Sequence, residues 1–316
     1  MSAADSSTSP PTAGATAPDD RAAAEEASAF GHDPVPADAT LPYGDHPDQV
    51  IDFYRPRPTG RAAGSPVGPA PLVGLFHGGA WRAPYDRAHV SPLAAHLAAH
   101  GFAVASVEYR RGGMTDAPQQ VPDTALPPAG RWPDTLDDVA AAVDALPALA
   151  VRALGDDTVD PRRTVLTGHS AGGHLVLWAA ARHVLPPESP WHRPSPPRLR
   201  GVVALAPIAD FTSSIRLHVC SGAVLDLLGG PDHLTARLPH ADPAALLPTG
   251  IATTIVHGTT DNVVPPQVSH AFVRAAAVAG EEVVTAWLPA TGHFPLIDPT
   301  TDACATVTDE LTQLAW

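Results

Sequence analysis

Gly168-His169-Ser170-Ala171-Gly172-Gly173 decides how the rest of the chain is read. The residues before it, Thr164-Val165-Leu166-Thr167, are apolar or β-branched and bounded by turn formers, which predicts a short strand. The residues after it, His174-Leu175-Val176-Leu177-Trp178-Ala179-Ala180-Ala181, form a helix-compatible run. A strand therefore enters a helix through a turn centred on Ser170. The G-x-S-x-G spacing puts small residues two before and two after the serine, so strand and helix can approach closely while the serine is held in a strained conformation with its hydroxyl exposed. The Ala171 N–H then lies at the start of the helix, where negative charge is favoured.

Working outward, strands are expected at 49–54, 71–76, 102–109, 201–206, 252–257 and 282–288, between helices at 87–100, 133–149, 266–279 and 299–314. The apolar spacing of Val90, Leu93, Ala94 and Leu97 before Gly101 marks the first of these helices, and the acids Asp134, Asp137 and Asp138 behind Pro133 mark the second. Strands alternating with helices imply a mostly parallel sheet covered on both faces. Residues 208–250 break the alternation with short apolar pieces and read as a small cap insertion. The Gly- and Pro-rich stretch 110–132 reads as a long loop bordering the functional face.

A serine hydroxyl is a poor nucleophile unless an imidazole takes its proton and a carboxylate orients that imidazole. Asp261 follows a buried strand in Gly258-Thr259-Thr260-Asp261, and His293 follows the last strand in Ala290-Thr291-Gly292-His293. Both stand where the chain order Ser, acid, His requires. Asp210, at the end of the preceding strand, is the alternative acid. Asp298 is expected to cap the last helix, and His169 to pack beside the turn without moving a proton. His77-Gly78-Gly79-Ala80-Trp81 follows another buried strand, and its glycines can turn N–H groups toward a developing oxyanion. Gly78, Gly79 and Ala171 are the expected donors, and Trp81 is the expected wall of a substrate pocket, with a buried indole that only packs as the alternative.

The composition narrows the function classes. At 316 residues and 44% hydrophobic, the chain can bury a large core. A net charge of −14 with no basic stripe argues against nucleic acid and against an anionic membrane surface as partners. Cys220 and Cys304 make neither a metal spacing nor a disulfide framework. Residues 1–40, rich in Ala, Ser, Thr, Pro and acids, are expected to be a disordered tail before a single domain at 41–316. They show no basic segment followed by an apolar run, so a cytoplasmic protein is expected.

On His77-Gly78-Gly79-Ala80-Trp81, Val107-Glu108-Tyr109-Arg110-Arg111, Trp132-Pro133-Asp134, Gly168 to Leu175, Asp261 and His293, the chain resembles the α/β-hydrolase superfamily. The likeness lies with the esterase/lipase-like branch that includes bacterial carboxylesterases and kynurenine formamidases. It implies an eight-stranded, mainly parallel sheet, no cofactor, no metal, and hydrolysis of a small-molecule ester or amide through an acyl-enzyme. Ala80 stands where formamidases often carry a larger residue, and the 110–132 loop is long for them, so ester hydrolysis is the leading expectation. Arylformamidase activity is the alternative. A non-catalytic ligand-binding relative is the alternative of another class, and its mark, a missing triad member, is not found.

Overall fold

Every second residue along the central strands faces the same way, and this sorts the apolar side chains into two cores. The computed structural model describes residues 18–57, 68–113 and 128–316; the first part of the expected tail and the middle of the expected 110–132 loop lie outside them. The strands are β1 (Ala39–Pro42), β2 (Val50–Tyr54), β3 (Ala70–Phe76), β4 (Ala103–Val107), β5 (Val159–His169), β6 (Gly201–Leu205), β7 (Thr253–Gly258) and β8 (Val284–Leu288). They form one sheet in the order β1-β2-β4-β3-β5-β6-β7-β8, antiparallel at β1/β2 and β2/β4 and parallel at the other pairings. The eight-stranded, mostly parallel sheet expected from the sequence is present.

The helices are α1 (Pro18–Phe30), α2 (Ser91–Ala99), α3 (Asp134–Leu154), α4 (Ala171–Ala180), α5 (Phe211–Arg216), α6 (Ala223–Leu227), α7 (Leu234–Ala241), α8 (Gln267–Val278) and α9 (Asp302–Ala315). Leu72 and Phe76 of β3 join Leu136, Leu175, Val268 and Phe272 of α3, α4 and α8 in one core. Val73 and Leu75 of the same strand join Leu93, Leu97, Val307 and Leu311 of α2 and α9 in the other. Strands β4, β6 and β7 are buried along their whole length because helices cover both faces, which is why their sequences are mostly apolar or β-branched and contain no charged residue.

The structure corrects the expectation of a disordered tail over residues 18–40. That stretch contains α1 and β1, and β1 pairs with β2 in the register Ala39↔Phe53 to Pro42↔Val50. Ala-rich sequence favours helix, but the partners that hold α1 lie more than two hundred residues away, beyond the reach of local pattern. A second difference is at the end of the sheet, where Thr301, not Asp298, caps α9 by accepting from the Cys304 N–H at 3.2 Å.

Residues 208–250 fold into α5, α6, α7 and short 3-10 turns between β6 and β7. Asp242 ties this segment together: its Oδ1 accepts from the N–H groups of Phe211 and Ala244 at 3.2 and 3.1 Å. Burial pushes its carboxyl up to about 7, so the folded chain holds this proton more tightly than the unfolded one. The resulting stability is complete below the unfolded carboxyl range near 4 and is lost as pH rises through 7. Asp242→Asn keeps the accepting carbonyl and removes the buried charge. Urea unfolding is expected to show the variant more stable than the parent by ~3–4 kcal/mol at pH 8 and by less than about 1 kcal/mol at pH 4.5.

Candidate active site

The turn between β5 and α4 carries the strain its sequence foretells. Ser170 has φ 58° and ψ −114°, a conformation that costs a non-glycine residue on the order of 1–3 kcal/mol. Its backbone is bonded on both sides: the N–H donates to the Leu205 carbonyl at 2.8 Å, and the carbonyl accepts from His174 and Ile208 at 3.1 and 3.2 Å. The flanking glycines are needed for space. A Cβ on Gly172 would run into the carbonyl oxygens of Phe76 and His77, and one on Gly168 into the Gly172 carbonyl. Ala171 opens α4, so its N–H is among the helix-terminal donors without an intrahelical acceptor.

Asp261 and His293, thirty-two residues apart in sequence, meet at the C-terminal end of the sheet, with His293 Nδ1 at 2.6 Å from Asp261 Oδ2. The other carboxylate oxygen accepts from the N–H groups of Val263 and Val264 at 2.8 and 2.9 Å. Burial alone would push the Asp261 carboxyl up, but the His293 charge and the hydrogen bonds from His257 and His293 outweigh it and hold the group well below the usual carboxylate range. Asp210, the alternative acid, is committed elsewhere: its side chain caps α5 by accepting from the Ser213 N–H at 2.5 Å.

His257 was missed by sequence reasoning. Its Nε2 lies 3.2 Å from Asp261 Oδ2 and 2.9 Å from the Val264 carbonyl, and its Nδ1 lies 2.7 Å from Ser269 Oγ. These partners fit the tautomer protonated on Nε2, with the serine hydroxyl donating to Nδ1. The only local signal was a histidine four residues before the acid at a strand end. His169, expected to pack beside the turn, does so with a bond as well: its Nε2 donates to the His293 carbonyl at 3.0 Å. Burial and the His293 charge hold its pKa well below the ordinary histidine value, which keeps the ring neutral near pH 7.

The loop after β3 is built from left-handed residues, with φ 99° at Gly79, 52° at Ala80 and 56° at Trp81. Gly78 sits against the serine turn, where an added Cβ would lie 3.3 Å from Ser170 Cβ. A buried polar network holds the loop from behind. The His77 ring stacks on Tyr109 at 4.3 Å, the Tyr109 hydroxyl donates to the His77 carbonyl at 2.7 Å, and His77 Nε2 lies 2.8 Å from Glu108 Oε1. Glu108 also pairs with the Arg111 guanidinium and accepts from the Arg87 N–H at 3.0 Å. Arg110 grips Asp138 of α3 through Nε and Nη2 at 2.8 and 2.6 Å, so these motif residues brace the sheet end and α3.

Trp81 does not wall the pocket as expected. It is fully buried, edge-on to His174 at 5.1 Å and near Phe211 at 6.2 Å, because the left-handed backbone at Ala80 and Trp81 turns the indole inward beneath the loop. The cavity beside Ser170 and His293 has a volume of about 170 Å³, and its walls include Gly79, Ala80, Tyr85 and Phe294. Phe30, Arg82 and Cys220 also reach it, none of them expected there from the sequence. Arg82 Nη2 donates to the Cys220 carbonyl at 3.0 Å, linking the loop after β3 to the 208–250 segment. Among the described residues, no cluster of three or more His, Cys, Asp or Glu side chains is placed to hold a metal ion, and no helix is long and apolar enough to cross a membrane.

A family model described as BD-FAE matches residues 125–275. A probable carboxylic ester hydrolase of Mycobacterium tuberculosis, LipM, is 29% identical over 233 residues, or 72% of this chain and 50% of that protein. The probable isoprenylcysteine alpha-carbonyl methylesterase ICME of Oryza sativa subsp. japonica is 25% identical over 250 residues, covering 75% and 53% respectively. The chain thus spans about half the length of these curated relatives. Esterase B of Lactobacillus rhamnosis, solved with a tributyrin phosphonate inhibitor, superimposes with a TM-score of 0.68 at 20% identity over 93% of this chain and 90% of that one. With its sheet order, its strained serine turn and these likenesses in view, the chain has the α/β-hydrolase fold and is similar to esterases built on it.

Proposed function

We propose that this protein is a serine hydrolase that cleaves a small carboxylic ester through an acyl-enzyme on Ser170. The observation that carries the reading is the buried His293–Asp261 pair at 2.6 Å, whose histidine lines one cavity with a serine held in a strained turn. With Nδ1 committed to Asp261, Nε2 of His293 accepts the Ser170 proton as Oγ attacks the ester carbonyl. The oxyanion is held by N–H groups of Gly78, Gly79 and Ala171, each such donor being worth roughly 3 kcal/mol in the transition state. His293 then protonates the departing alkoxide, which leaves as the alcohol. Water, deprotonated by the same imidazole, attacks the acyl-enzyme and releases the acid. Asp261 keeps its charge throughout and stabilises the imidazolium.

The names of the relatives, ester hydrolases and esterases, support an ester as substrate. The two free cysteines fit a reducing compartment, and we place the enzyme in the cytoplasm on that ground. The test compares kcat/KM for p-nitrophenyl acetate, butanoate and octanoate with that for N-formylkynurenine, using Ser170→Ala as the blank. Rapid ester cleavage with negligible deformylation is expected. Preferred deformylation would make the enzyme an arylformamidase, and a folded wild-type protein that neither cleaves esters nor reacts with a fluorophosphonate probe would remove the hydrolase reading altogether.

A further inference from the structure

The N-terminal helix α1 is bonded to both loops that carry the candidate acid and base. Arg21 donates to Thr260 Oγ1, next to Asp261 in sequence, and Glu25 Oε1 accepts from the Gly292 N–H at 3.3 Å, next to His293. Ser28 Oγ and His32 Nε2 both donate to the buried Asp298, at 2.5 and 2.9 Å, just beyond the 3-10 turn Phe294–Ile297. These bonds hold the end of α1 beside the cavity that contains the serine. Its last residue, Phe30, is only partly buried, and its ring lies 5.4 Å from Phe294, 5.4 Å from His89 and 5.9 Å from Tyr85. The same ring lines the cavity that contains Ser170 and His293.

An aromatic ring fixed at three sides and facing a cavity of about 170 Å³ sets how far a flexible substrate chain can extend. We propose that Phe30, delivered by α1, is the specificity-determining residue that restricts this cavity to short substrate groups. The inference rests on the ester hydrolase reading above. Tyr85 and Phe294 come from the loop after β3 and the loop after β8, so they also support the core of the site. Phe30 comes from a separate element whose side chain can be shortened without touching the serine, acid or base.

The experiment measures kcat/KM for p-nitrophenyl acetate and octanoate, and for acetate esters of ethanol and hexanol, in the wild type, Phe30→Leu and Phe30→Ala. Each further methylene that becomes buried improves kcat/KM by about fourfold, so the long-to-short ratio in one series is expected to rise at least about tenfold in Phe30→Ala, with Phe30→Leu between. A rise in the acyl series assigns the cavity to the acyl chain, and a rise in the alcohol series assigns it to the leaving group. A ratio unchanged in both series overturns the proposal, even where both rates fall together, because a ring that only stabilises α1 would lower them equally. If Phe30→Ala does not fold, the Phe30→Leu ratio decides by the same criterion. A wild type that cleaves neither short nor long esters overturns the function reading and this inference with it, whereas Ser170-dependent cleavage with an unchanged ratio overturns this inference alone.

Discussion

Ser170→Ala is expected to lower kcat for ester hydrolysis by roughly 10⁵- to 10⁶-fold, the loss found when the nucleophile of such a unit is removed. The fold should survive, because the backbone bonds that sustain the turn involve only the Ser170 N–H and carbonyl. Asp261→Asn is the more discriminating variant. An amide can keep contact with His293 Nδ1 but favours the wrong tautomer and leaves the imidazolium without its counter-charge, so a fall of about 10³- to 10⁴-fold is expected. Asp210→Asn should change kcat by less than about threefold, since asparagine caps a helix as well as aspartate does and the residue has no bond to His293. Steady-state kinetics on p-nitrophenyl acetate, with circular dichroism to verify folding, reads all three. A larger loss for Asp210→Asn than for Asp261→Asn would reverse the assignment of the acid.

Glu108→Ala is expected to have the largest effect on stability of any single change in the site region. Glu108 is 1% exposed and Arg111 is 3% exposed, so alanine removes a carboxylate from beside a buried guanidinium. Breaking a buried pair from one side costs about 3–5 kcal/mol. The same carboxylate accepts the backbone N–H groups of Arg87 and Tyr109 at 3.0 and 3.1 Å, and these lose their acceptor together. Urea unfolding gives the stability change directly. Because His77 and Tyr109 position the loop of Gly78 and Gly79, kcat should fall with it at temperatures where the variant is still folded. The contrasting variant is Arg162→Ala, which removes a pair whose guanidinium is 87% exposed and should leave the melting temperature unchanged.

The central strands and the serine turn were legible because their causes are local. A strand buried on both faces is built mostly of apolar and β-branched residues, and a turn that presses a strand against a helix must have small residues at 168 and 172. Asp261 and His293 were legible as well, since parallel strands covered by helices bring the loops at their C-terminal ends to one side of the sheet. The expected Trp81 wall failed because a fully buried indole and a pocket-lining one have the same local sequence; only the left-handed backbone at Ala80 and Trp81 turns it inward.

Sequence alone therefore singled out the residues proposed as nucleophile, base, acid and oxyanion donors, because each choice depends on residue type beside a strand end. Tertiary structure decided what surrounds them. His257 behind Asp261, Glu108 behind the Gly78-Gly79 loop and Phe30 across the cavity all act through contacts between segments far apart in the chain. The N-terminal segment shows the difference most plainly. Its composition could not support a core of its own, so it reads as a tail, yet from Pro18 onward it is ordered by the loops of Asp261, His293 and Asp298, which supply the bonding partners that its own sequence lacks.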